Sequence, residues 1–305
     1  MNGILVINKP VGLSSAQGVA RIKRMLQADH AGHTGTLDPF ASGVLVCCIN
    51  QATRLVRFLM PCRKIYEGTL TLGTDTDTQD ATGAVVAQHD CTGITRHDVQ
   101  RAFQRFEGDS LQAPPAYSAL KHQGIPLYRL ARQGRPVRKP PRPIHIAWLR
   151  VLTVALPCVR FEVCCSPGTY VRTLASDIGR ELGCGGHLSE LIRRESDGFS
   201  LDRALTLEEL AALTHRSAPA TALIPMAKAL PAMPGITADA GLLGKIRHGS
   251  PLSRQDIDLG SIPEPASSTA FIKVVDARGE LAAVLEHSGA SDTLKYAGVF
   301  MGPGR

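Results

Sequence analysis

Residues 33–43 read HTGTLDPFASG, and they place a single carboxylate, that of Asp38, among small and turn-forming residues. Pro39 restricts the backbone next to this Asp, whereas Gly35 and Gly43 permit backbone conformations that other residues avoid. A loop of this kind can hold a side chain in a fixed direction. An Asp-Pro turn with flanking glycines is also common in ordinary connections between elements. The role of Asp38 therefore depends on what the rest of the chain supplies.

The length and composition indicate a folded chain with a basic surface. Its 305 residues suffice for about two domains, and 44% hydrophobic residues allow each domain a buried core. The formal net charge is +7 at pH 7. Such an excess favours a polyanionic partner, with nucleic acid as the first candidate and an anionic membrane as the second.

No segment of the sequence predicts a signal peptide or a membrane span. The apolar run at residues 3–7 is too short for either and predicts a strand. The eight cysteines form no Cys-x-x-Cys motif and have no nearby histidine pairs at ligand spacing, so we expect no metal site. Most of them have apolar neighbours, which predicts buried thiols in a reducing compartment. We therefore expect a cytoplasmic protein.

Hydrophobic periodicity predicts the main elements of the chain up to about residue 182. Apolar residues recur at helical spacing over about 15–27, and an apolar run at 44–49 predicts a buried strand. Residues 66–72 alternate with a period of two, as do residues 159–165, so both segments predict strands. The second of these strands leads into a helix that ends near residue 182.

The other predicted elements are shorter. Residues 96–106 predict a helix, and residues 188–196 predict a strand or a loop edge. Ser, Ala and Pro dominate residues 217–235, which predicts a linker. Beyond it, residues 271–276 and 281–286 are joined by a short polar turn and predict a hairpin. The last part of the chain is therefore expected to be a small β-domain.

The strongest compositional signal lies between Ser110 and Phe161, where the sequence has no Asp or Glu. The basic residues of this stretch are Lys121, Arg129, Arg132, Arg135, Arg138, Lys139, Arg142, Arg150 and Arg160. Tyr117, Tyr128 and Trp148 are interleaved with them. Cations follow a phosphate backbone, and aromatic rings stack on unpaired bases. This basic segment, at about 110–150, therefore predicts binding to a structured or locally opened nucleic acid.

Five blocks of the sequence, in order, resemble the TruB family of tRNA pseudouridine(55) synthases over about residues 3–200. The block at 32–39 resembles the catalytic motif of that family. The other blocks are 8–10 with 12–15, Tyr66 with 72–73, 76–78 and Asp80, 114–115 with 117–121, and 168–172. One block alone is a weak signal, but five in the same order are highly specific. The C-terminal part, with residues 246–249 and the hairpin, resembles a PUA domain more distantly.

The resemblance implies an α+β fold, with a mixed, largely antiparallel sheet flanked by helices. A pseudouridine synthase catalytic domain would cover about 1–230, and a PUA-like RNA-binding domain about 236–305. The implied reaction converts uridine 55 in the T loop of tRNA to pseudouridine, by base flipping and by Asp-dependent cleavage and re-formation of the glycosidic bond. It uses no cofactor, either metal or small molecule. The expected partner is the T arm of tRNA, and the expected protein is a monomer without membrane contact.

The resemblance also implies three catalytic residues, Asp38, Tyr66 and Arg172. Asp38 has to be ionised in a pocket that excludes water, where burial raises the pKa of a carboxyl group. Arg172 beside it would stabilise the charged form. Tyr66 would stack on the flipped uracil, and its hydroxyl would take part in removing the C5 proton.

The implied substrate-binding residues are His33, Tyr170, Ile192, Lys9, Asp80 and Lys121. His33 would hold the target base out of its stack. Lys9 and Lys121, with the rest of the basic segment, would bind phosphates. Tyr170 would share a strand face with the catalytic Arg. Ile192, which stands where the family usually has Leu, would line the pocket.

Two other functions are compatible with parts of the pattern. A non-catalytic RNA-binding protein would use the basic segment and the C-terminal domain, but it gains nothing from a buried Asp–Arg pair. A glycoside hydrolase needs two carboxylates at a defined separation, and the only other acid cluster lies at residues 75–80. The step performed by Asp38 also stays open among attack on the ribose carbon, attack on the uracil ring, and removal of a ribose proton.

Overall fold

The structure is a computed structural model of the chain. It describes residues 1–60, 63–216, 218–257, 269–288 and 292–301. Among these residues, no helix combines the length and the apolar character that crossing a membrane requires.

The described residues contain seven α-helices and four short 3-10 segments. The helices are α1 (Ser15–Met25), α2 (Val56–Leu59), α3 (Arg96–Gln104), α4 (Leu127–Arg132), α5 (Val171–Glu181), α6 (Leu207–His215) and α7 (Ala240–His248). The 3-10 segments are Asn50–Leu55, Leu201–Arg203, Pro219–Ala222 and Arg254–Asp256.

The strands of the same residues are numbered in chain order. They are β1 (Gly3–Lys9), β2 (Ala31–His33), β3 (Ser42–Ile49), β4 (Lys64–Leu72), β5 (Thr74–Thr76), β6 (Val85–Gln88), β7 (Gly108–Gln112), β8 (Lys121–His122), β9 (Ile125–Pro126), β10 (Arg142–Ala155), β11 (Cys158–Cys165), β12 (Gly186–Ser196), β13 (Phe199–Ser200), β14 (Gly235–Thr237), β15 (Leu252–Ser253), β16 (Thr269–Val275), β17 (Leu281–Ser288) and β18 (Thr293–Val299).

Nine of these strands form the main sheet. Seven lie side by side in the order β1-β3-β12-β4-β11-β10-β7, while β2 pairs with β3 and β13 pairs with β12. Every pair is antiparallel except β12 with β3, which run parallel at Ile192 and Arg193. The predicted mixed, largely antiparallel sheet is therefore confirmed. The segment at 188–196, predicted as a strand or a loop edge, is part of a central strand.

The core of the main sheet is built from alternate residues of its strands. Leu45 on β3 faces a cluster with Ile22 of α1 and Leu210 of α6. Val44 on the same strand faces the opposite side, in a cluster that also contains Val284 of β17. Burying one such side chain contributes about 1.5–3 kcal/mol to folding. Strand β3 is apolar throughout because both of its faces are covered.

Helix α1 begins with a capping interaction at its N-terminus. Ser14 caps it, because its side chain accepts the Gln17 amide while the Gln17 side chain accepts the Ser14 amide. The predicted helix over 15–27 is confirmed with a slightly earlier end, at Met25. The chain leaves the helix through Gln27, whose φ of +48° is not helical.

The C-terminal residues form a second sheet of five strands, in the order β14-β16-β17-β18-β15. The predicted hairpin is confirmed as β16 and β17, which pair antiparallel. Its turn is closed by Asp276, whose carboxylate accepts the amides of Arg278 and Glu280. A small β-domain is thus present at the end of the chain, as the sequence predicted.

The segment predicted as a linker is packed against both sheets over its described part, 218–235. Ile224 exchanges two backbone hydrogen bonds with Ile4 of β1, at 2.9 and 2.8 Å. Leu230 is buried in the same cluster as Val284 of the C-terminal sheet. Small and apolar residues of this composition fit equally well into a loop or into a packed seam, so composition alone could not separate the two.

The predicted burial of the cysteines holds for five of them. These are Cys47, Cys48, Cys164, Cys165 and Cys184, whereas Cys91 is half-buried and Cys158 is exposed. All seven described cysteines are free thiols, and Cys62 lies outside the described residues.

Candidate active site

The Asp38 loop connects β2 to β3 and is fixed to the start of α1. The Ser15 hydroxyl donates to the Leu37 carbonyl at 2.9 Å, and the Leu37 amide donates to the Ser15 hydroxyl oxygen at 2.8 Å. The Asp38 carbonyl accepts the amide of Ala41 at 3.1 Å, which closes a turn. The loop therefore has a defined backbone from which the Asp38 carboxylate projects.

Gly43 ends the loop where β3 passes closest to β12. Its φ is +104°, and a Cβ atom there would lie 2.3 Å from the carbonyl oxygen of Arg193. Both the backbone conformation and the close approach exclude other residues. The glycine noted in the sequence is thus required for the parallel contact between these two strands.

Arg172 forms an ion pair with Asp38. Its Nε lies 2.8 Å from Asp38 Oδ2, and its Nη2 donates to Oδ1 at 3.4 Å. The Arg172 side chain is 4% exposed, whereas the Asp38 side chain keeps 34% of its surface accessible. The carboxylate therefore faces the solvent side, and the guanidinium lies behind it in the first turn of α5.

The ionisation of Asp38 is set by opposing effects. Burial raises the pKa of its carboxyl group above the ordinary value, and the Arg172 guanidinium acts in the opposite direction. The Asp80 carboxylate raises this pKa further, whereas the Lys9 ammonium lowers it. A carboxylate held in this way is a stronger base than an ordinary exposed Asp.

Asp80, predicted to bind substrate, is placed behind Arg172 instead. It is 4% exposed, and its Oδ2 lies 3.2 Å from Arg172 Nη1. Its other oxygen accepts the hydroxyls of Thr78 and Thr82 at 2.8 and 2.6 Å. We correct the prediction, because a carboxylate enclosed by these partners orients the guanidinium and does not line the cleft.

Tyr66 lies on β4 beside the Asp38 loop and is 7% exposed. Burial raises the pKa of its hydroxyl, and the positive charge of the Arg193 guanidinium opposes this rise. Tyr66 is one of the residues that line the cleft. Tyr66 therefore combines an apolar ring with a polar oxygen near the Asp–Arg pair.

These side chains surround one cleft of about 360 Å³, a size typical of sites for small ligands. It brings together four of the predicted residues, Asp38, Tyr66, Tyr170 and Arg172. Residues 167–169 and 118–120 close it from other sides. The cleft is large enough for one base and its sugar.

Tyr170 lines the cleft, but not from a strand. Helix α5 begins at Val171, so Tyr170 is its N-cap residue and the predicted strand face shared with Arg172 is wrong. The Gln112 side chain holds the Tyr170 backbone, accepting its amide at 2.8 Å and donating to its carbonyl at 3.1 Å. Burial raises the pKa of the Tyr170 hydroxyl.

His33 and Lys121 lie outside the set of residues that line the cleft. His33 ends β2, and burial, with Arg193 adding to it, lowers the pKa of its imidazole. Within the described residues its Nδ1 has no hydrogen-bond partner. Lys121 is exposed on the short strand β8, next to the rest of the basic segment.

Lys9, predicted to bind phosphate, is completely buried. Its ammonium donates to the carbonyls of Pro10 and Leu13, at 2.8 and 2.7 Å. Burial lowers its pKa to about 8, although Asp38 acts to raise it. We correct the prediction, because an ammonium enclosed in this way fixes the loop before α1 and is not accessible to a phosphate.

Ile192, predicted to line the pocket, points away from it. Leu191 and Arg193 line the cleft from β12, and side chains alternate between the two faces of a strand. Ile192 therefore lies on the opposite face of the sheet. The correction places the apolar pocket residue one position earlier, at Leu191.

Sequence reasoning missed three polar residues beneath the loop. Arg193 donates to loop carbonyls, including that of Gly35 at 3.0 Å. Asp197 pairs with Lys64 at 3.3 Å and accepts the Thr34 hydroxyl at 2.5 Å. Asp197 precedes a Gly just beyond β12, a pattern typical of an ordinary turn, and only its φ of +58° with a fully buried side chain distinguishes it.

Comparison with known proteins is consistent with this arrangement. The description "TruB family pseudouridylate synthase (N terminal domain)" matches residues 23–171, and "tRNA pseudouridylate synthase B C-terminal domain" matches residues 172–231. The tRNA pseudouridine synthase B of Geobacter sulfurreducens is 44% identical over 261 residues, 86% of each chain. That of Burkholderia mallei is 42% identical over 288 residues, 94% of each chain.

A solved structure shares the fold. A chain from the crystal structure of a Cbf5-Nop10-Gar1 complex superposes with a TM-score of 0.75 at 26% identity, covering 99% of this chain and 85% of the other. The sheet, the cleft and these similarities define a pseudouridine synthase. Within that class, the chain belongs to the TruB family.

Proposed function

We propose that this enzyme converts uridine 55 in the T loop of tRNA to pseudouridine. The observation that carries the proposal is the Asp38–Arg172 ion pair, which lies at the cleft and leaves the carboxylate accessible. The relatives from Geobacter sulfurreducens and Burkholderia mallei, named tRNA pseudouridine synthase B, support tRNA as the substrate. The named position within tRNA comes from the sequence resemblance.

The reaction breaks the bond between N1 of uracil and C1′ of ribose, and it forms a bond between C5 and the same C1′. The uracil turns between the two steps, C5 loses a proton and N1 gains one, so no atom is lost. Attack on the ribose carbon, attack on the ring, and removal of a ribose proton all require Asp38 to be ionised. Arg172 serves each route equally, because it stabilises the carboxylate before the reaction begins.

The target base has to leave its stack to reach Asp38. Tyr66 and Leu191 line the cleft on the side of the sheet, and we propose that they enclose the uracil ring. Stacking on an aromatic ring contributes about 1–3 kcal/mol per base. His33 precedes Thr34, which lines the cleft, and we propose that it holds the base out of the T loop. Tyr170 would close the side of the cleft opposite Tyr66.

The basic segment would hold the T arm. Lys121, Arg129, Arg132, Arg135 and Arg138 are exposed, and we propose that they contact phosphates on both sides of the flipped nucleotide. The C-terminal β-domain at 236–305 would act as a PUA-like RNA-binding domain beside the catalytic domain at 1–230. The proposed enzyme acts as a monomer in the cytoplasm.

Incubation with an unmodified tRNA transcript tests the proposal. Pseudouridine would be mapped by carbodiimide treatment and primer extension, and we expect one new stop in the T loop, at position 55. Asp38→Asn protein serves as the control and should give no stop. Binding of the transcript without any stop would favour a non-catalytic RNA-binding protein, and release of free uracil would favour a hydrolase.

A further inference from the structure

Arg193 is the largest side chain that the described part of the chain buries completely. It projects from the central strand β12 to the floor of the cleft. Asp38 is paired with Arg172, and Asp197 is paired with Lys64. Within the described ranges, Arg193 therefore has no carboxylate partner. Burying such a charge is unfavourable unless strong acceptors surround it.

Backbone carbonyls on both sides of Asp38 supply these acceptors. Arg193 Nε donates to the Val44 carbonyl at 2.7 Å, and Nη2 donates to that of Gly35 at 3.0 Å. Nη1 reaches the Thr36 carbonyl at 3.5 Å. One guanidinium thus ties the beginning of the catalytic loop to its end.

The same guanidinium lies opposite Tyr66. The two residues are direct cross-strand partners in the pairing of β12 with β4, so their side chains share the cleft face. Both side chains line the cleft, and the Arg193 guanidinium opposes the rise that burial causes in the pKa of the Tyr66 hydroxyl. Because Arg has N–H donors and no acceptor, the guanidinium can interact with the Tyr66 oxygen only as a donor.

We propose that Arg193 is a positioning residue that holds the Tyr66 hydroxyl and the Asp38 loop in one fixed arrangement. A base that enters the cleft then meets the carboxylate and the phenol oxygen at a constant separation. The inference rests on the proposed function, since it assigns Arg193 a part in that reaction. It also explains why a charge is kept in a position where an apolar side chain would fill the space.

A double-mutant cycle tests the link to Tyr66. Turnover of the tRNA transcript is measured for the wild type, Arg193→Lys, Tyr66→Phe and the double variant. Lys keeps the charge but cannot reach all of the acceptors at once. We expect Arg193→Lys to lower kcat by about tenfold or more, with KM within about twofold of the wild type. In the Tyr66→Phe background, the same change should lower kcat clearly less.

Arg194→Lys is the matched control, because Arg194 is the next residue on β12 and pairs with Glu67 at the surface. It should leave kcat and KM unchanged. An equal loss of kcat for Arg193→Lys in both Tyr66 backgrounds would overturn the inference, as would an unchanged kcat. A wild-type protein that forms no pseudouridine would instead overturn the proposed function.

A measurement that needs no turnover distinguishes failure of this inference from failure of the proposed function. Tyrosinate absorbance, followed to alkaline pH and compared with Tyr66→Phe, reports the ionisation of Tyr66 alone. We expect Arg193→Gln, which removes the charge, to raise the pKa of Tyr66, because the guanidinium opposes the effect of burial. An unchanged titration in a variant with a native circular-dichroism spectrum would overturn the inference. Arg193→Met, which also removes the charge, takes the place of Arg193→Gln if the latter does not fold.

Discussion

Arg172 and Asp38 are 134 residues apart in the chain, and the Arg172 Nε lies 2.8 Å from Asp38 Oδ2. Arg172 also donates to the carbonyls of Thr78 and Tyr117, at 2.8 and 2.9 Å. The first turn of α5 therefore contacts three loops around the Asp38 carboxylate. The position of Asp38 depends on all of them, and not on its own loop alone.

Asp38→Asn is expected to abolish turnover while leaving the protein folded and able to bind tRNA. Phosphate contacts supply most of the affinity for nucleic acid, and the amide is nearly isosteric with the carboxylate. Because burial raises the pKa of Asp38 in the folded state, the unfolded state holds fewer protons over the pH range between the two pKa values. The ionised carboxylate therefore lowers stability at neutral pH.

The melting temperature of Asp38→Asn at neutral pH should consequently equal or exceed that of the wild type. Filter binding of the transcript and thermal melts measure both expectations. A large loss of affinity, or a markedly lower melting temperature, would show that the carboxylate has a structural role instead.

Asp80→Asn distinguishes two effects of Asp80, the orientation of Arg172 and the rise in the pKa of Asp38. The variant should lower kcat by about tenfold or more, because Arg172 loses a charged anchor. The acid limb of kcat/KM should nevertheless move to lower pH, because the Asp80 carboxylate raises the pKa of Asp38 and the amide does not. The pH dependence of single-turnover rates measures this. Asp90→Asn, a change at an exposed carboxylate, is the control, and a shift of the limb to higher pH would contradict the argument.

The sequence predicted which residues meet in the cleft better than it predicted the buried residues that hold them in place. Asp38, Tyr66 and Arg172 stand in recognisable blocks, and the structure brings them to one cleft. Lys9 and Asp80 stand in such blocks too, but burial decides their roles, and burial depends on how distant segments pack. Nothing in the sequence around Lys9 distinguishes it from a surface lysine, yet at the end of β1 it is fully buried.

Strand register also limited the prediction of the site from the sequence. Leu191 and Ile192 are both apolar, and a shift of one residue exchanges the two faces of a strand. The face of β12 is set by its pairing with β4, in which Arg193 lies opposite Tyr66. No local feature of residues 188–196 contains that information.

Lys9→Met is expected to remove one component of the pH dependence of stability. The pKa of Lys9 is lowered from 10.5 to about 8 in the folded state, so the unfolded state binds the extra proton between these values. The contribution of Lys9 to the free energy of unfolding therefore rises as the pH increases from about 8 to 10.5. Urea unfolding of both proteins over this range measures the difference.

The wild type should gain stability relative to Lys9→Met across that interval, and the difference should be constant below it. The acid limb of kcat/KM for Lys9→Met should also move to higher pH, because the ammonium lowers the pKa of Asp38. A parallel pH dependence of the two proteins would contradict the assigned pKa. Lys23→Met, at an exposed lysine of α1, is the control.

Asp197→Asn is expected to destabilise the fold and the catalytic loop together. Asp197 is fully buried, pairs with Lys64 and accepts the Thr34 hydroxyl. Removing its charge takes a carboxylate partner from a buried ammonium, which costs about 3 kcal/mol in comparable pairs. Urea unfolding should show this loss, and kcat should fall because Thr34 belongs to the cleft.

Asp197→Gly separates the backbone from the carboxylate. A φ of +58° is unfavourable for Asp and not for Gly, so this variant recovers about 1 kcal/mol of backbone strain while losing the same carboxylate. Its free energy of unfolding should still lie below that of the wild type, since the lost ion pair outweighs the relieved strain. Asp202→Asn at the surface is the control. Variants within about 0.5 kcal/mol of the wild type would show that Asp197 is an ordinary turn residue.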